Sequence, residues 1–158
     1  MAAGLTVERV TSATDDVRTL VGELEDVLAA EYPPEQRHGL SLDSLFQPHV
    51  RFFLARDGGP VGCGGVALFD DFAEVKRMYV REAVRGRGVA QALLARLEAE
   101  TRDAGRTVLR LETGDRQTRA MAFYERSGFQ RRAAFGAYAS MSAHSIATSV
   151  FFEKAVPR

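Results

Sequence analysis

With 158 residues, the chain has the length of one ordinary domain, which we assign to residues 1–158. Its 46% of hydrophobic residues argues against disorder, and its 21 basic and 21 acidic residues give a formal net charge of zero, which disfavours nucleic-acid binding through a global positive field. A single cysteine, Cys63, excludes an intrachain disulfide, and no apolar run approaches the roughly 20 residues of a membrane span. Residues 1–10 lack the pattern of a secretory signal, so we expect a cytoplasmic protein that contacts no membrane.

The first half of the sequence predicts one strand, one long helix and three further strands. Apolar and polar residues alternate over residues 5–10, which is typical of an edge strand. Apolar residues recur at helical spacing over residues 17–28, after a capping-box pattern that starts at Ser12, and Pro33 ends this helix. Weak periodicity over residues 35–49 indicates a loop with a short helix. Strands follow at residues 50–56, 61–69 and 73–80.

The second half alternates helices and strands. Apolar residues at Ala90, Leu93 and Leu97 predict a helix that starts near Gly88 and ends at Gly105. After it come a strand at residues 107–112, a helix at 117–127, a strand at 129–135, a loop at 136–148 and a last strand at 149–154. Together the elements predict an α/β fold in which a mixed sheet of about 6–7 strands is flanked by about four helices.

The densest chemical signal is the turn that precedes the second long helix, where residues 85–90 read RGRGVA. Glycines let the backbone approach a ligand closely, and the first amides of a helix point outward with the positive end of the helix dipole behind them. Phosphate groups bind at such positions, and Arg85 and Arg87 add positive charge. The turn therefore predicts a cradle for a pyrophosphate, although solvated arginines in a tight turn would give the same pattern.

Two motifs make the sequence resemble the GNAT superfamily of N-acetyltransferases, and in particular its small bacterial members. Arg85, Gly88 and Ala90 match the family's Gln/Arg-x-x-Gly-x-Gly/Ala signature. Residues 120–129, AMAFYERSGF, look like its second cofactor motif, whose core is Ala…Tyr-x-x-x-Gly-Phe. The resemblance is strong over residues 50–135. It implies a mostly antiparallel sheet that is splayed at its centre to hold acetyl-CoA.

Acetyl-CoA is the acetyl donor that the resemblance implies, bound between the strands at residues 73–80 and 107–112. Many members carry Asn where this chain has Gln117, and the glutamine amide still allows a contact to the pantetheine arm. No metal is expected, because the three histidines lack metal-ligand spacing. The cofactor-binding residues that the resemblance implies are Met78, Tyr79, Val80, Arg85, Gly86, Arg87, Gly88, Val89, Ala90, Gln117 and Tyr124.

Acetyl transfer from a thioester to an amine needs a neutral amine, a polarised carbonyl and a proton for the leaving thiolate. Tyr124 occupies the general-acid position that the resemblance implies, and the alternative is a core tyrosine whose hydroxyl anchors its helix. Glu74 is the preferred base, on a face that alternation assigns also to Met78, and its alternative role is a surface ion pair with Lys76. Glu112 is the rival carboxylate, which could instead bind the substrate's ammonium group.

The resemblance predicts an enzyme, an N-acetyltransferase that moves an acetyl group directly to a primary amine of a small molecule. Two alternatives stay open, namely acetylation of a protein lysine or N-terminus, and a regulatory module that binds acyl-CoA without turnover. The acceptor pocket is expected within residues 31–50 and 136–148, with Tyr32, His38 and Phe46 at its lining. Many relatives dimerise, and the last strands could form the surface of a homodimer.

Overall fold

Residues 4–158 are described by a computed structural model, in which seven strands form one sheet. The strands are β1 (Thr6–Val10), β2 (Val50–Arg56), β3 (Pro60–Leu68), β4 (Ala73–Val80), β5 (Val108–Gly114), β6 (Gln130–Arg132) and β7 (Ser149–Ala155). The helices are α1 (Asp15–Glu31), α2 (Val89–Asp103) and α3 (Thr118–Arg126). Short 3₁₀ turns cover Pro34–Gln36, Asp43–Phe46, Glu82–Val84 and Gly136–Ser140. The spatial order is β1-β2-β3-β4-β5-β7-β6, and only the β4–β5 pair is parallel.

The α/β fold with a mixed, mostly antiparallel sheet of seven strands is confirmed, but residues 4–158 contain three α-helices instead of about four. The predicted short helix within residues 35–49 is replaced by two separate 3₁₀ turns. Gly39 lies between the two turns and Pro48 follows the second, and both residue types disfavour a continuing helix. Within the described part of the chain, no helix is long and apolar enough to cross a membrane.

Two predicted boundaries also differ from the structure. Thr14, rather than Ser12, caps α1, since its hydroxyl accepts a hydrogen bond of 3.4 Å from the amide of Val17. The strand predicted at residues 129–135 is limited to β6, which pairs with β7 through three residues. The chain then leaves the sheet, because Phe135 turns into a buried aromatic cluster with Phe72, Tyr138 and Phe151.

Arg77 interrupts the alternation of side chains along β4. It adopts a left-handed φ of +55°, and the register with β3 shifts at this point by a β-bulge. An extra residue in one strand moves the side chains that follow it to the opposite face. The prediction that Glu74 and Met78 share a face is therefore wrong. Met78 packs into the core below α2, whereas Glu74 lies on the other face with Lys76.

Two consecutive residues of β2 show how the sheet separates two apolar cores. Phe53 is buried in the core that α2 covers with Leu93 and Leu97. Phe52 points the opposite way, into the core that α1 covers with Leu20. Because the period of a strand is two residues, one strand supplies both layers, and the sheet lies between α1 on one side and α2 on the other.

Gly62 allows α2 to pack directly on β3. A Cβ atom there would lie 2.9 Å from the carbonyl oxygen of Tyr79 and 3.1 Å from Cγ1 of Val89. We expect Gly62→Ala to lower the free energy of unfolding by about 1–3 kcal/mol, the range for overpacked cores, as measured by urea denaturation. The matched control is Gly22→Ala in α1, where a Cβ meets no atom within 4 Å. This control should gain about 0.5–1 kcal/mol, and equal stabilities of the two variants would contradict the close packing.

Candidate active site

A cleft opens where β4 and β5 separate. These parallel strands pair only through Ala73 with Leu109 and Glu74 with Arg110, and they continue to Val80 and Gly114 unpaired with each other. The backbone groups on their facing edges are thereby left for other partners, and the expected central splay of the sheet is confirmed. The cleft is lined by residues 75–78 of β4, residues 111–114 of β5, Gln117, Ala120 and Tyr124 at α3, and Leu24, Leu28, Tyr32 and residues 36–39 on the α1 side.

The predicted phosphate cradle lies at the N-terminus of α2. Gly86 and Gly88 have φ values of +84° and +83°, which glycine adopts without the strain that a Cβ would add. The first helical backbone bond runs from the amide of Ala92 to the carbonyl of Gly88, and no side chain caps the helix. The amides of residues 89–91 therefore point outward, and a Cβ at Gly86 would meet no atom within 4 Å. This open, amide-lined turn fits a diphosphate group, and the exposed Arg85 and Arg87 add charge beside it.

Not all the residues predicted to contact the pantetheine arm point into the cleft. Met78 and Gln117 line the cleft. The side chain of Tyr79 points away from it, since its hydroxyl donates a 3.0 Å hydrogen bond to Glu23 of α1. Only the backbone of Tyr79 is thus available to a ligand in the cleft. Val80 packs against the core under α2 and is not among the residues that line the cleft.

Tyr124 lines the cleft from α3 with its side chain almost fully buried. Its ring packs against Phe129 at a centroid distance of 5.5 Å. Within residues 4–158 its hydroxyl has no hydrogen-bond partner, so the alternative in which this hydroxyl anchors the helix finds no support. Burial raises the pKa of the Tyr124 phenol above its ordinary value. The group therefore stays protonated at neutral pH and can donate a proton into the cleft.

Glu112 lines the same cleft from β5. The hydroxyl of Ser149 on β7 donates a 2.7 Å hydrogen bond to its Oε2 atom. Burial raises the pKa of the Glu112 carboxyl, and the bond from Ser149 offsets part of this rise. A carboxylate with a raised pKa is a stronger base than an exposed one, so Glu112 is suited to accept a proton.

Glu74 lies in a different environment, with 4% of its surface exposed. Its Oε2 atom accepts a 2.6 Å hydrogen bond from the hydroxyl of Tyr138 and forms a 3.2 Å ion pair with Lys76. The ion pair is thus buried and not on the surface. Glu74 lines a neighbouring cavity rather than the cleft. Burial and the Glu74 carboxylate both raise the pKa of the Tyr138 phenol.

Tyr138 is the site residue that sequence reasoning missed. It belongs to residues 136–148, which the composition of alanine and serine indicates only as a loop. The sequence signal that could have identified it is an aromatic residue, Tyr138, in a segment of small residues. Of the predicted acceptor residues, Tyr32 and His38 line the cleft, whereas Phe46 packs on Phe52 in the core below α1.

Comparison with known proteins places this site in a family. The sequence model of the Acetyltransferase (GNAT) family matches residues 20–129, which include the turn at 85–90 and the motif at 120–129. The chain belongs to the GNAT family. As a GNAT acyltransferase it is an acetyl-CoA-dependent N-acetyltransferase.

Similar proteins extend over most of this GNAT chain. The IAA acetyltransferase of Azospirillum brasilense is 41% identical over 137 residues, which cover 85% of this chain and 90% of that protein. The aminoalkylphosphonate N-acetyltransferase of Salmonella typhimurium is 30% identical and covers 77% of this chain and 81% of its own length. A solved structure from Klebsiella pneumoniae, described as an acyl-CoA N-acyltransferase, superposes with a TM-score of 0.78 at 30% identity and covers 99% and 100% of the two chains.

The cradle at α2 can be tested with two glycines of equal backbone strain. Gly88→Glu should abolish acetyl-CoA binding, because a carboxylate at the turn would block and repel a diphosphate. Gly105→Glu, with a φ of +78° at the other end of α2, is the matched control. Both variants should lose similar stability, but only the first should lose affinity in calorimetry. A folded Gly88→Glu protein with unchanged affinity would contradict the cradle.

Proposed function

We propose that this GNAT enzyme transfers the acetyl group of acetyl-CoA directly to a primary amine of a small molecule. The proposal depends on one observation above all: a buried tyrosine and a buried carboxylate line one cleft between β4 and β5, and the helix that follows β4 begins with a turn that fits a diphosphate. The Salmonella relative is named for aminoalkylphosphonates, which are small amines, and this supports an acceptor of that size.

The acceptor side of the cleft favours a small molecule over a protein chain. The segment at residues 36–38, which lines the cleft, is joined to the loop at residues 144–145 by hydrogen bonds. Gln36 donates a bond of 2.9 Å to the carbonyl of His144, and Nε2 of His38 lies 2.8 Å from the carbonyl of Ser145. The Ser145 hydroxyl adds a 3.1 Å bond to the carbonyl of Glu35. These bonds close the space over which a protein substrate would have to lie in an extended form.

The donor half of the site would be formed by the predicted residues. The amides of Gly86, Arg87, Gly88, Val89 and Ala90, together with Arg85, would hold the diphosphate. Met78, Val80 and the backbone of Tyr79 would meet the pantetheine arm along the free edge of β4. Gln117 and Tyr124 would contact the arm from α3.

During the reaction the acceptor nitrogen loses two protons, one to solvent and one to the thiolate, and the cleft offers one group for each. Acetyl-CoA supplies a thioester whose carbon–sulfur bond breaks as the carbon–nitrogen bond of the amide forms. Glu112 accepts the proton that the ammonium must lose to become a nucleophile and passes it to solvent. Tyr124 donates the proton that converts the leaving thiolate into a thiol. The second proton of the nitrogen restores the phenol, so the charges and protons balance.

Glu112 is a better base than Glu74 in this arrangement. Glu112 lines the same cleft as Tyr124, whereas Glu74 lines the neighbouring cavity, where it is bonded to Lys76 and Tyr138. A covalent acetyl-enzyme has no support from Cys63, because this residue is fully buried and burial raises the pKa of its thiol to about 12.

A panel of amines and peptides with acetyl-CoA tests the proposed function. Release of free thiol, with mass spectrometry of the acetylated product, should show turnover with small amines. Turnover with peptides alone would favour a protein acetyltransferase. Binding of acetyl-CoA without turnover of any acceptor would favour a regulatory module.

Tyr124→Phe removes only the proposed proton donor and keeps the ring. We expect kcat to fall by roughly 10²–10⁴-fold, the range for general acid–base groups, because the thiolate loses its proton source. Acetyl-CoA affinity by calorimetry is the control and should be unchanged. A folded variant with near-normal kcat, under conditions where chemistry limits the rate, would contradict the acid role.

Glu112→Gln tests how much the burial of the charged carboxylate lowers the stability of the protein. Since the pKa of Glu112 is raised on folding, its contribution to stability is present at pH values below the ordinary carboxyl pKa and is lost as pH rises through the folded value. The variant should therefore be more stable than the wild type at neutral pH but not in acid, as measured by thermal denaturation at several pH values.

The same Glu112→Gln variant should lose kcat/KM at neutral pH. In the wild type, kcat/KM should fall as the pH drops through the raised pKa of Glu112, because the protonated carboxyl cannot act as a base. Glu125→Gln, an exposed change on α3, is the control for both measurements. Activity that survives in Glu112→Gln but not in Glu74→Gln would return the base role to Glu74.

A further inference from the structure

A second cavity, of about 380 Å³, adjoins the cleft on the face of the sheet that carries Glu74. Small-molecule sites in proteins commonly measure about 300–1,000 Å³ and are mostly apolar with a few polar groups. The cavity lies between the β3–β4 turn, residues 38–40 and the loop that follows β6. We call it the aromatic chamber. Its apolar lining includes Leu40, Phe69, Phe72, Phe135, Ala137 and Met141.

The aromatic chamber and the cleft are separated by one shared wall. His38, Gly39 and Lys76 line both spaces. A molecule held in the chamber therefore needs to extend only past this wall to reach the cleft that contains Tyr124 and Glu112.

The chamber has one polar corner, formed by Glu74, Lys76 and Tyr138. The three N–H donors of Lys76 are matched by Glu74, the hydroxyl of Tyr138 at 3.0 Å and the carbonyl of His38 at 3.2 Å. Glu74 accepts both of its hydrogen bonds on Oε2, and Oε1 accepts none from the described residues. The polar groups of this corner thus bond mainly to one another, and Lys76 has no spare donor for an anion.

Two large apolar side chains remain partly exposed at the rim of the chamber. Phe69 and Met141 are 39% and 36% exposed, and Val27 is the other large hydrophobic residue of comparable exposure in residues 4–158. Two of these three side chains thus lie at one concave site. Exposed apolar side chains that cluster around a concave site mark a place where an apolar group binds.

We infer that the aromatic chamber binds the apolar, ring-sized body of the amine acceptor. The acceptor's ammonium would extend past the shared wall into the cleft, toward Glu112, while the ion pair of Glu74 with Lys76 stays at the wall. The substrate class is then an arylalkylamine, in preference to amines that carry a phosphonate, carboxylate or hydroxyl in place of the ring. This inference rests on the proposed function and adds the chemical class of its acceptor.

Turnover of matched amines tests this class. With acetyl-CoA as donor, kcat/KM for phenethylamine should exceed kcat/KM for ethanolamine and aminomethylphosphonate by at least about tenfold, since the ring gains burial in the chamber. Equal or faster use of the polar amines would overturn the inference while leaving the proposed acetyltransferase function intact.

Direct binding tests the chamber without any need for turnover. Calorimetry of phenethylamine with the CoA-loaded protein should show that Phe69→Ser combined with Met141→Ser raises the dissociation constant at least about fivefold. Affinity for acetyl-CoA should not change. Val27→Ser, which alters an equally exposed residue on α1 away from the chamber, should leave both affinities as they are.

The results separate the two proposals. Unchanged phenethylamine binding in the double variant would overturn the aromatic chamber as the acceptor site. Binding that the double variant weakens, without acetyl transfer to any amine, would support the chamber and contradict the proposed function.

Discussion

The brief pairing of β4 with β5 is the constraint on which the rest of the structure depends. Parallel strands normally satisfy each other's backbone groups along their length, but here only two residue pairs do so. The remaining edges face a cleft, where backbone amides and carbonyls are free to bind a ligand. Beyond the last pair, Arg77 has a left-handed φ of +55°, and its guanidinium donates hydrogen bonds to the carbonyl of Leu40, at 2.9 Å, and to Glu25, which connect this part of β4 to the α1 side.

The sheet remains stable despite this split because each half is held by contacts of its own. On one side, β5 pairs with β7 through seven residues, so it does not depend on β4 for its position. On the other, the glycines of β3 let α2 approach closely. The apolar core under α2 then joins the halves, since Leu93 and Leu97 share a cluster with Leu109 and Leu111 of β5. Packing, rather than strand pairing, thus holds the walls of the cleft at a fixed distance.

Much of this arrangement could be predicted from the sequence, because it depends on local patterns. The turn at residues 85–90 and the motif at 120–129 carry their own signals, in glycines of positive φ and in helical spacing, and the second motif supplies Ala120 and Tyr124 to the cleft. The face of Glu74 could not be predicted, since a bulge at Arg77 leaves no mark in an alternating sequence. The role of Tyr138 also escaped, because a loop residue finds its partner Glu74 across 64 positions of the chain.

The proposed donor and acceptor sites, on either side of the shared wall, are formed largely by different parts of the chain. The donor side comes from one nearly continuous stretch, from β4 to α3. The chamber proposed for the acceptor combines the turn between β3 and β4 with two segments outside this stretch, around His38 and around Tyr138. The family model ends at residue 129, before the second of these segments begins. Changes in the segment around Tyr138 can therefore reshape the chamber without touching Tyr124 or the turn at residues 85–90, so the proposed choice of amine can diverge while the proposed thioester site is kept.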